Sequence, residues 1–161
     1  MLTYRKNIRH YHQLGAYNCG PVALSCIFDT SLEHLEKLVE CNKNKGTYTS
    51  ILVDALRKEG VECDHINLNA DHNDHLWWLE LNSYRWPVYL GCHFTTQGLR
   101  GRPSNSHHAV LLADGMIYDG NSYREEPIGA VAQKFNKSFV IKDAVIFHHE
   151  LPNCGEKLAA A

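Results

Sequence analysis

The segment that says most about the fold is residues 13–24, which read Gln13-Leu14-Gly15-Ala16-Tyr17-Asn18-Cys19-Gly20-Pro21-Val22-Ala23-Leu24. Its second half predicts a turn that enters a helix ending near Phe28, because proline suits a first helical turn, where its missing N–H is not needed. Cys19 is therefore placed at a helix N-terminus. Unpaired backbone N–H groups and the positive end of the helix dipole favour a thiolate at that position. Cys19 is the candidate nucleophile.

Gln13 lies six residues before Cys19. With that spacing the amide side chain can fold back beside the thiol. Together with the backbone N–H of Cys19 it can donate hydrogen bonds to the oxyanion that forms when a carbonyl group is attacked. Gln13 is therefore the candidate oxyanion-hole side chain.

Two more helices are predicted after the first. One covers residues 31–41, where Thr30 and Glu33 have capping-box spacing, and the other covers residues 49–58 and ends before Gly60. From Val61 onward the pattern becomes that of strands, with short helices predicted at residues 75–81 and 128–135 and a polar loop at residues 95–106. The strands are predicted at residues 61–68, 87–94, 108–112, 116–119 and 139–147. Because helices precede strands, the sequence predicts an α+β fold with N-terminal helices packed on an antiparallel sheet.

A predicted hairpin turning at Asp114-Gly115 supplies the candidate base. If the turn has two residues, His108 shares a face with Asp119 and Asn121, and Asp119 lies on the diagonal within side-chain reach. If the turn has three residues, the register shifts and His107 takes that place. A nucleophile needs a base that is oriented by a third group, and this hairpin offers both. The turn type decides which histidine is the base.

Composition narrows the class of protein. The 161 residues are 44% hydrophobic and 21% charged, as expected for one globular domain, and we predict a single domain at residues 1–156 with a vector-like tail at residues 157–161. The net charge of −2 offers no positive field to a phosphate backbone, so nucleic acid is not an expected partner. No stretch approaches the roughly 20 apolar residues of a membrane span, and no targeting segment stands out, which together favour a cytoplasmic location or delivery into a host cytosol.

The six cysteines are spaced too far apart to indicate zinc or dithiol motifs, and we interpret them as free thiols. Eleven histidines invite a metal hypothesis, above all in the run Asp71-His72-Asn73-Asp74-His75. A polar run directly before a helix is, however, more typical of a solvated loop or helix cap. We therefore expect neither a metal nor a cofactor.

Taken together, these motifs resemble the papain-like cysteine peptidases. The closest likeness is to the branch related to the bacteriocin leader peptidases, also called double-glycine peptidases. It rests on Gln13, on the run from Cys19 to Leu24, on His108 with the apolar strand that follows it, and on Tyr118-Asp119. The Thr49 to Gly60 helix and the Trp86-Pro87-Val88 strand start look similar as well.

The resemblance implies that Cys19 is the nucleophile, Gln13 the oxyanion-hole side chain, His108 the general base and Asp119 its orienting partner. Asn121 is an alternative third member, since an asparagine has that role in papain itself. The implied activity is hydrolysis of an amide bond in a peptide or protein. The same residues would also serve a glutamine deamidase or an acyl transferase, and a degenerate peptidase fold could bind without cleaving. The expected partner is a peptide or protein substrate, and nothing in the sequence indicates an oligomeric state.

Overall fold

A computed structural model describes residues 1–42, 46–68, 83, 85–94, 106–130 and 139–150. Within these ranges the chain forms three named helices followed by six strands, with a helical turn at residues 128–130 between the last two strands. The helices are α1 (Cys19–Ser25), α2 (Leu32–Leu38) and α3 (Thr49–Lys58). The strands are β1 (Cys63–Asn67), β2 (Val88–Phe94), β3 (Ser106–Ala113), β4 (Met116–Tyr118), β5 (Glu126–Pro127) and β6 (Phe139–Phe147).

The six strands form one antiparallel sheet in the order β1-β6-β2-β3-β4-β5. The predicted α+β class with helices before an antiparallel sheet is confirmed. Residues alternate between two cores along each strand, since successive strand side chains point to opposite faces. On β3, Leu111 packs with the helices, whereas Val110 and Leu112 pack in a second cluster on the other face. Burial of both faces explains why this strand reads as a continuous apolar run.

The predicted bounds of α3 match the structure at both ends. The C-terminal end is fixed by Gly60. Gly60 has φ +81°, a left-handed conformation that glycine adopts at little cost. Its N–H donates to the carbonyl of Arg57 (3.0 Å), and the N–H of Val61 donates to the carbonyl of Leu56 (3.0 Å). These two bonds form a Schellman motif, which satisfies carbonyls left open at the helix end.

The predicted cap of α2 was wrong by one residue. Ser31, not Thr30, is extended directly before the helix, with φ −73° and ψ 149°, and its side chain accepts a hydrogen bond from the N–H of His34 at 3.1 Å. The helix also ends at Leu38, three residues before the predicted end at Cys41. Likewise, α1 ends at Ser25 rather than near Phe28. Beyond it, the carbonyls of Cys26 and Ile27 accept hydrogen bonds from the N–H groups of Arg9 and Arg5, and Phe28 forms a β-bridge with Tyr4.

The hairpin between β3 and β4 has the two-residue turn. Asp114 and Gly115 have φ +53° and +71°, as a type I′ turn requires, and Ala113 pairs with Met116 while Leu111 pairs with Tyr118. This register is the one that predicts His108, and not His107, beside Asp119.

The sheet has one irregularity close to the site. Between Gly91 and Cys92 the pairing of β2 with β6 shifts, so that Gly91 pairs with Asp143 and Cys92 pairs with Ile141. Lys142 is the extra residue of this bulge, a device that re-aims side chains locally.

Several predicted segments lie wholly or partly outside the described residues. They are the helix at residues 75–81, most of the loop at residues 95–106, the Asp71 to His75 run and the tail at residues 157–161. Ser106, assigned to that loop by the sequence, begins β3 instead. The predicted helix at residues 128–135 is helical over residues 128–130, where its description ends.

Candidate active site

Cys19 is the first residue of α1 and is partly exposed. The N–H of Val22 donates to the carbonyl of Asn18 at 2.9 Å, which starts the helical hydrogen bonding. The N–H groups of the first turn have no helical partner, and they surround the thiol with positive partial charge. The local sequence thus places this sulfur where a thiolate is stabilised.

His108 lies on β3 and is only 7% exposed. Its Nε2 lies 2.7 Å from Oδ1 of Asp119, the residue that follows β4. The imidazole also makes a side-chain hydrogen bond with Cys19. One histidine ring therefore joins the thiol of α1 to the carboxylate beyond the hairpin.

These contacts determine the charge of the imidazole. Burial disfavours the imidazolium and lowers the pKa of His108, but the hydrogen bonds with Asp119 and Cys19 outweigh burial and raise the pKa to about 9. The proton therefore stays on His108 at neutral pH. A charged imidazole therefore lies beside Cys19.

Asp119 is itself held from several sides. Its Oδ1 accepts the backbone N–H of Asn121 at 2.9 Å, and its carbonyl accepts the N–H of Ser122 at 3.0 Å. The same carbonyl lies 2.8 Å from Nε2 of His10. Of the two predicted third members, Asp119 is the one bonded to His108, whereas Asn121 is exposed and supports the carboxylate through its backbone.

Gln13 lies beside the loop that carries Asp119, and its backbone N–H donates to the carbonyl of Gly120 at 2.7 Å. Its side-chain Nε2 donates to the carbonyl of Gly15 at 2.6 Å, while Oε1 is buried without a hydrogen-bond partner. Gln13 is not among the residues that line the cleft around Cys19. The structure therefore brings three of the four predicted site residues together and turns the amide of the fourth towards Gly15.

A cleft of about 460 Å³ opens beside Cys19 and His108. This volume falls in the range of ligand sites in proteins. The lining comes from the start of α1, the residues around the start of α3, and the sheet near the bulge. It includes Tyr17, Tyr48, Thr49, Tyr89, His107, Lys142 and Asp143.

Tyr89 is a site residue that the sequence analysis missed. Its ring is 2% exposed, and burial holds the pKa of its hydroxyl well above the usual range. A Cβ on Gly20 would lie 3.2 Å from that hydroxyl, so the glycine after Cys19 leaves room for Tyr89. The only sequence signal for Tyr89 was its place in a predicted strand, which does not indicate a neighbour on a distant helix.

Burial raises the pKa of each of the four other described cysteines. Burial raises the pKa of Cys26 to about 12 and holds the pKa of Cys92 well above the normal thiol range. Burial also raises the pKa of Cys41 and of Cys63. All five described cysteines are free thiols. Within the part of the chain that the structure describes, no group of three or more His, Cys, Asp or Glu side chains is arranged to hold a metal ion.

The architecture is the papain-like cysteine peptidase fold, in the form found in double-glycine peptidase domains. One solved structure that it resembles is the peptidase domain of Streptococcus ComA, a bi-functional ABC transporter involved in a quorum-sensing pathway. The sequences are 20% identical, the TM-score is 0.56, and the match covers 88% of this chain and 98% of that one. No family model and no curated protein matches the sequence.

A second structure is a double-glycine-motif protease from an AMS/PCAT transporter, solved in complex with the leader peptide. It is 16% identical, with a TM-score of 0.57, and the match covers 91% of this chain and 97% of that one. None of the helices in the described ranges is long and apolar enough to cross a membrane.

Proposed function

We propose that this protein is a cysteine peptidase-like hydrolase that cleaves an amide bond in a peptide or protein. The observation that carries the proposal is the position of His108, which is hydrogen-bonded to Asp119 at 2.7 Å on one side and to Cys19 on the other. A nucleophile, a base and an orienting group in this order are the recurring machinery of covalent acyl transfer.

In the first half of the reaction, the Cys19 thiolate attacks the carbonyl carbon of the scissile amide. The C–N bond breaks, and the proton of the His108 imidazolium passes to the leaving nitrogen, so an amine departs and a thioester remains. Asp119 keeps the ring oriented and stabilises its charged form. The raised pKa of His108 keeps this proton available at neutral pH.

In the second half, the now neutral His108 takes a proton from water. The resulting hydroxide attacks the thioester carbonyl, the C–S bond breaks, and a carboxylic acid leaves. The Cys19 thiolate and the protonated imidazole are regenerated. A thiolate leaves a carbonyl carbon more readily than an amine nitrogen does. The thioester route therefore divides one difficult amide hydrolysis into two easier steps.

The oxyanion formed in both halves needs hydrogen-bond donors. The backbone N–H of Cys19 is one candidate, because the first N–H groups of a helix have no helical acceptor. Gln13 is the second: its Nε2 carries two hydrogens, and one bond to Gly15 leaves the other available. A change of its side-chain rotamer upon substrate binding would direct that hydrogen towards the cleft.

A peptide is the substrate class that the neighbours support. One of them was solved with its leader peptide and is described as a double-glycine-motif protease. For this chain we propose a peptide whose cleavage follows small residues, by analogy with the double-glycine motif named for that neighbour. The exposed side chains of Tyr17 and Tyr48 are among the residues that line the cleft.

Mass spectrometry of the products tests the proposal. The protein is incubated with peptides that contain a Gly-Gly sequence, and with matched peptides in which both glycines are replaced by valine. We expect two fragments from the Gly-Gly peptides, and none with the Cys19→Ala variant. A mass increase of about one dalton in the intact peptide would instead show deamidation, and a joined product would show acyl transfer.

A binding module is the remaining alternative, and an electrophilic probe separates it from an enzyme. A peptide chloromethyl ketone should alkylate Cys19 near neutral pH before any other cysteine. If no peptide is altered and Cys19 reacts no faster than the remaining thiols, the hydrolase proposal is wrong.

A further inference from the structure

The first thirteen residues form an arm that lies along α1. At the far end of the helix, the N–H of Arg5 donates to the carbonyl of Ile27 at 2.7 Å, and the N–H of Arg9 donates to the carbonyl of Cys26 at 3.1 Å. The arm continues past the helix to the loop after β4. It therefore connects the end of α1 remote from Cys19 with the loop that carries Asp119.

At that loop the arm donates hydrogen bonds to two successive carbonyls. Nε2 of His10 lies 2.8 Å from the carbonyl oxygen of Asp119, and the N–H of Gln13 donates to the carbonyl of Gly120 at 2.7 Å. A carbonyl oxygen can only accept, so Nε2 of His10 carries a hydrogen in this contact.

Gly120 makes this close approach possible. A Cβ at this position would lie 2.8 Å from Cβ of Gln13 and 3.0 Å from Cγ1 of Val22. Real Cβ atoms essentially never show a distance of 2.8 Å, and a distance of 3.0 Å is tighter than nine in ten real Cβ contacts. The arm, the loop and α1 are thus packed against one another with no space for a side chain between them.

We propose that His10 is a positioning residue, which fixes the Asp119 backbone and thereby holds the carboxylate against His108. The inference rests on the proposed function of the Cys19–His108–Asp119 site. His10 is half-buried, bonds the backbone of Asp119 and is not among the residues that line the cleft.

Two hydrogen bonds to backbone carbonyls join the Asp119 loop to the N-terminal arm. The Asp119 carbonyl accepts from His10 and from Ser122, and the bond from Ser122 is local to the loop and moves with it. The bonds from His10 and Gln13 tie the backbone of residues 119 and 120 to the N-terminal arm, which is a distant part of the chain. Loss of the His10 bond lets the carboxylate drift from Nε2 of His108, and a displacement of about 1 Å in such a group can lower activity by up to roughly 100-fold.

The experiment compares two side chains of similar length at position 10. His10→Gln keeps an N–H that can reach the carbonyl, whereas His10→Met fills similar space without a donor. His12→Met is the control, because His12 lies two residues further along the same arm, is exposed, and stacks on the exposed ring of Tyr123 with ring centroids 6.1 Å apart.

The readout is the rate at which iodoacetamide alkylates Cys19, measured by peptide mass spectrometry at about pH 6 and about pH 10. At the lower pH the thiolate depends on the imidazolium of His108, whose neighbours are Asp119 and Cys19. At the higher pH a thiolate forms without its help. The ratio of the rate at low pH to the rate at high pH therefore reports how well Asp119 stabilises the imidazolium of His108. The rate at high pH by itself shows whether the thiol is accessible to the reagent.

We expect His10→Met to lower this ratio about tenfold, with the high-pH rate unchanged, and His10→Gln and His12→Met to leave it near the wild-type value. A wild-type ratio in His10→Met, or a ratio equally reduced in His10→Gln or in His12→Met, overturns the inference. Should His10→Met fail to fold by circular dichroism, His10→Ala replaces it in the same comparison.

Alkylation needs no turnover, so failure of the hydrolase proposal is seen separately. A wild-type protein that cleaves no peptide but shows enhanced alkylation at low pH leaves the positioning role testable. With a cleavable peptide, the positioning role also predicts a lower kcat for His10→Met at unchanged KM, since the arm does not line the cleft.

Discussion

The two ends of α1 each present a cysteine, and the two differ in almost every physical respect. Cys19 begins the helix, is partly exposed and is hydrogen-bonded to His108. Cys26 follows the last turn, is 1% exposed, and its Sγ lies 3.4 Å from the carbonyl of Val22. Burial raises the pKa of Cys26 to about 12. The same side chain on one short helix is thus a candidate nucleophile at one end and a core residue at the other.

The groups that surround a thiol, and not the residue type, decide whether it is reactive. The N-terminal end of α1 offers unpaired N–H groups and an imidazolium, which both favour negative charge. The other end offers Phe28, Leu24 and the N-terminal arm, which exclude water and favour the neutral form. Five predictions test this difference.

The largest effect is expected from replacing the two cysteines in turn. Cys19→Ala should lower peptide cleavage by at least about 1,000-fold, because no other group can form the thioester. Cys26→Ala is the matched control and should retain nearly the full rate, since Cys26 faces the core. Loss of cleavage in both variants, each with an intact fold by circular dichroism, would contradict the assignment of the nucleophile.

A smaller effect is expected from the proposed oxyanion donor. Gln13→Ala should lower kcat on the order of 100-fold, as measured for the removal of one such donor in other enzymes. The backbone bond from residue 13 to Gly120 is kept, so the free energy of unfolding should change little. Leu14→Ala, at a neighbouring side chain that is 92% exposed, is the control and should keep the wild-type kcat. A wild-type kcat in Gln13→Ala would show that its amide stays on Gly15 throughout the reaction.

The pH dependence should reveal the charge on His108. Its pKa in the folded protein is about 9, above the ordinary value of 6.5, so the imidazolium is present at neutral pH and is lost as the pH rises through about 9. We expect kcat/KM to fall about tenfold per pH unit above that point. Asp119→Asn should move this alkaline limb to lower pH, because the orienting charge is gone.

The same shift affects stability, with a defined sign. A group whose pKa is raised by folding stabilises the folded state fully below its unfolded pKa, here 6.5, and this contribution disappears as the pH rises through about 9. Urea unfolding of the wild type and of His108→Gln, measured at both ends of this window, should therefore converge at high pH. Curves separated by a constant amount across the window would contradict the raised pKa.

The smallest effect concerns the core cysteine. Cys26→Ala removes a buried sulfur and its contact with Val22, and should lower the free energy of unfolding by about 1 kcal/mol, measured by urea denaturation. Cys19→Ala, at the partly exposed end of the helix, should change it less. A larger loss of unfolding free energy in Cys19→Ala than in Cys26→Ala would contradict the assignment of Cys26 as the core cysteine of the two.

Much of the fold was predictable because it is encoded by short segments. The Asp114-Gly115 dipeptide favours positive φ at both positions and predicts a tight hairpin. The sequence left a two-residue and a three-residue turn open, and the structure has the two-residue turn, whose register places His108 beside Asp119. Gly60 ends α3 for a similar reason. The cap of α2 was missed by one residue, because Thr30 and Ser31 are both good capping residues and local sequence does not distinguish between them.

The site was predictable in part. Cys19, His108 and Asp119 carry local signals, namely a helix start, a strand start and a strand end. Tyr89, His10 and the bulge at Lys142 carry none. His10 and Asp119 are 109 residues apart in the chain, and the contact that joins them depends on how the arm packs along α1.

The amino-acid sequence alone determined approximately where the helices and strands lie, that a hairpin turns at Asp114-Gly115 and which thiol lies at a helix start, because backbone propensities and turn chemistry act over a few residues. Only the tertiary structure decided that the imidazole reaches the thiol, that the amide of Gln13 turns to Gly15, and that an N-terminal arm holds the Asp119 loop. These outcomes depend on close packing between distant segments, and packing is a property of the whole fold.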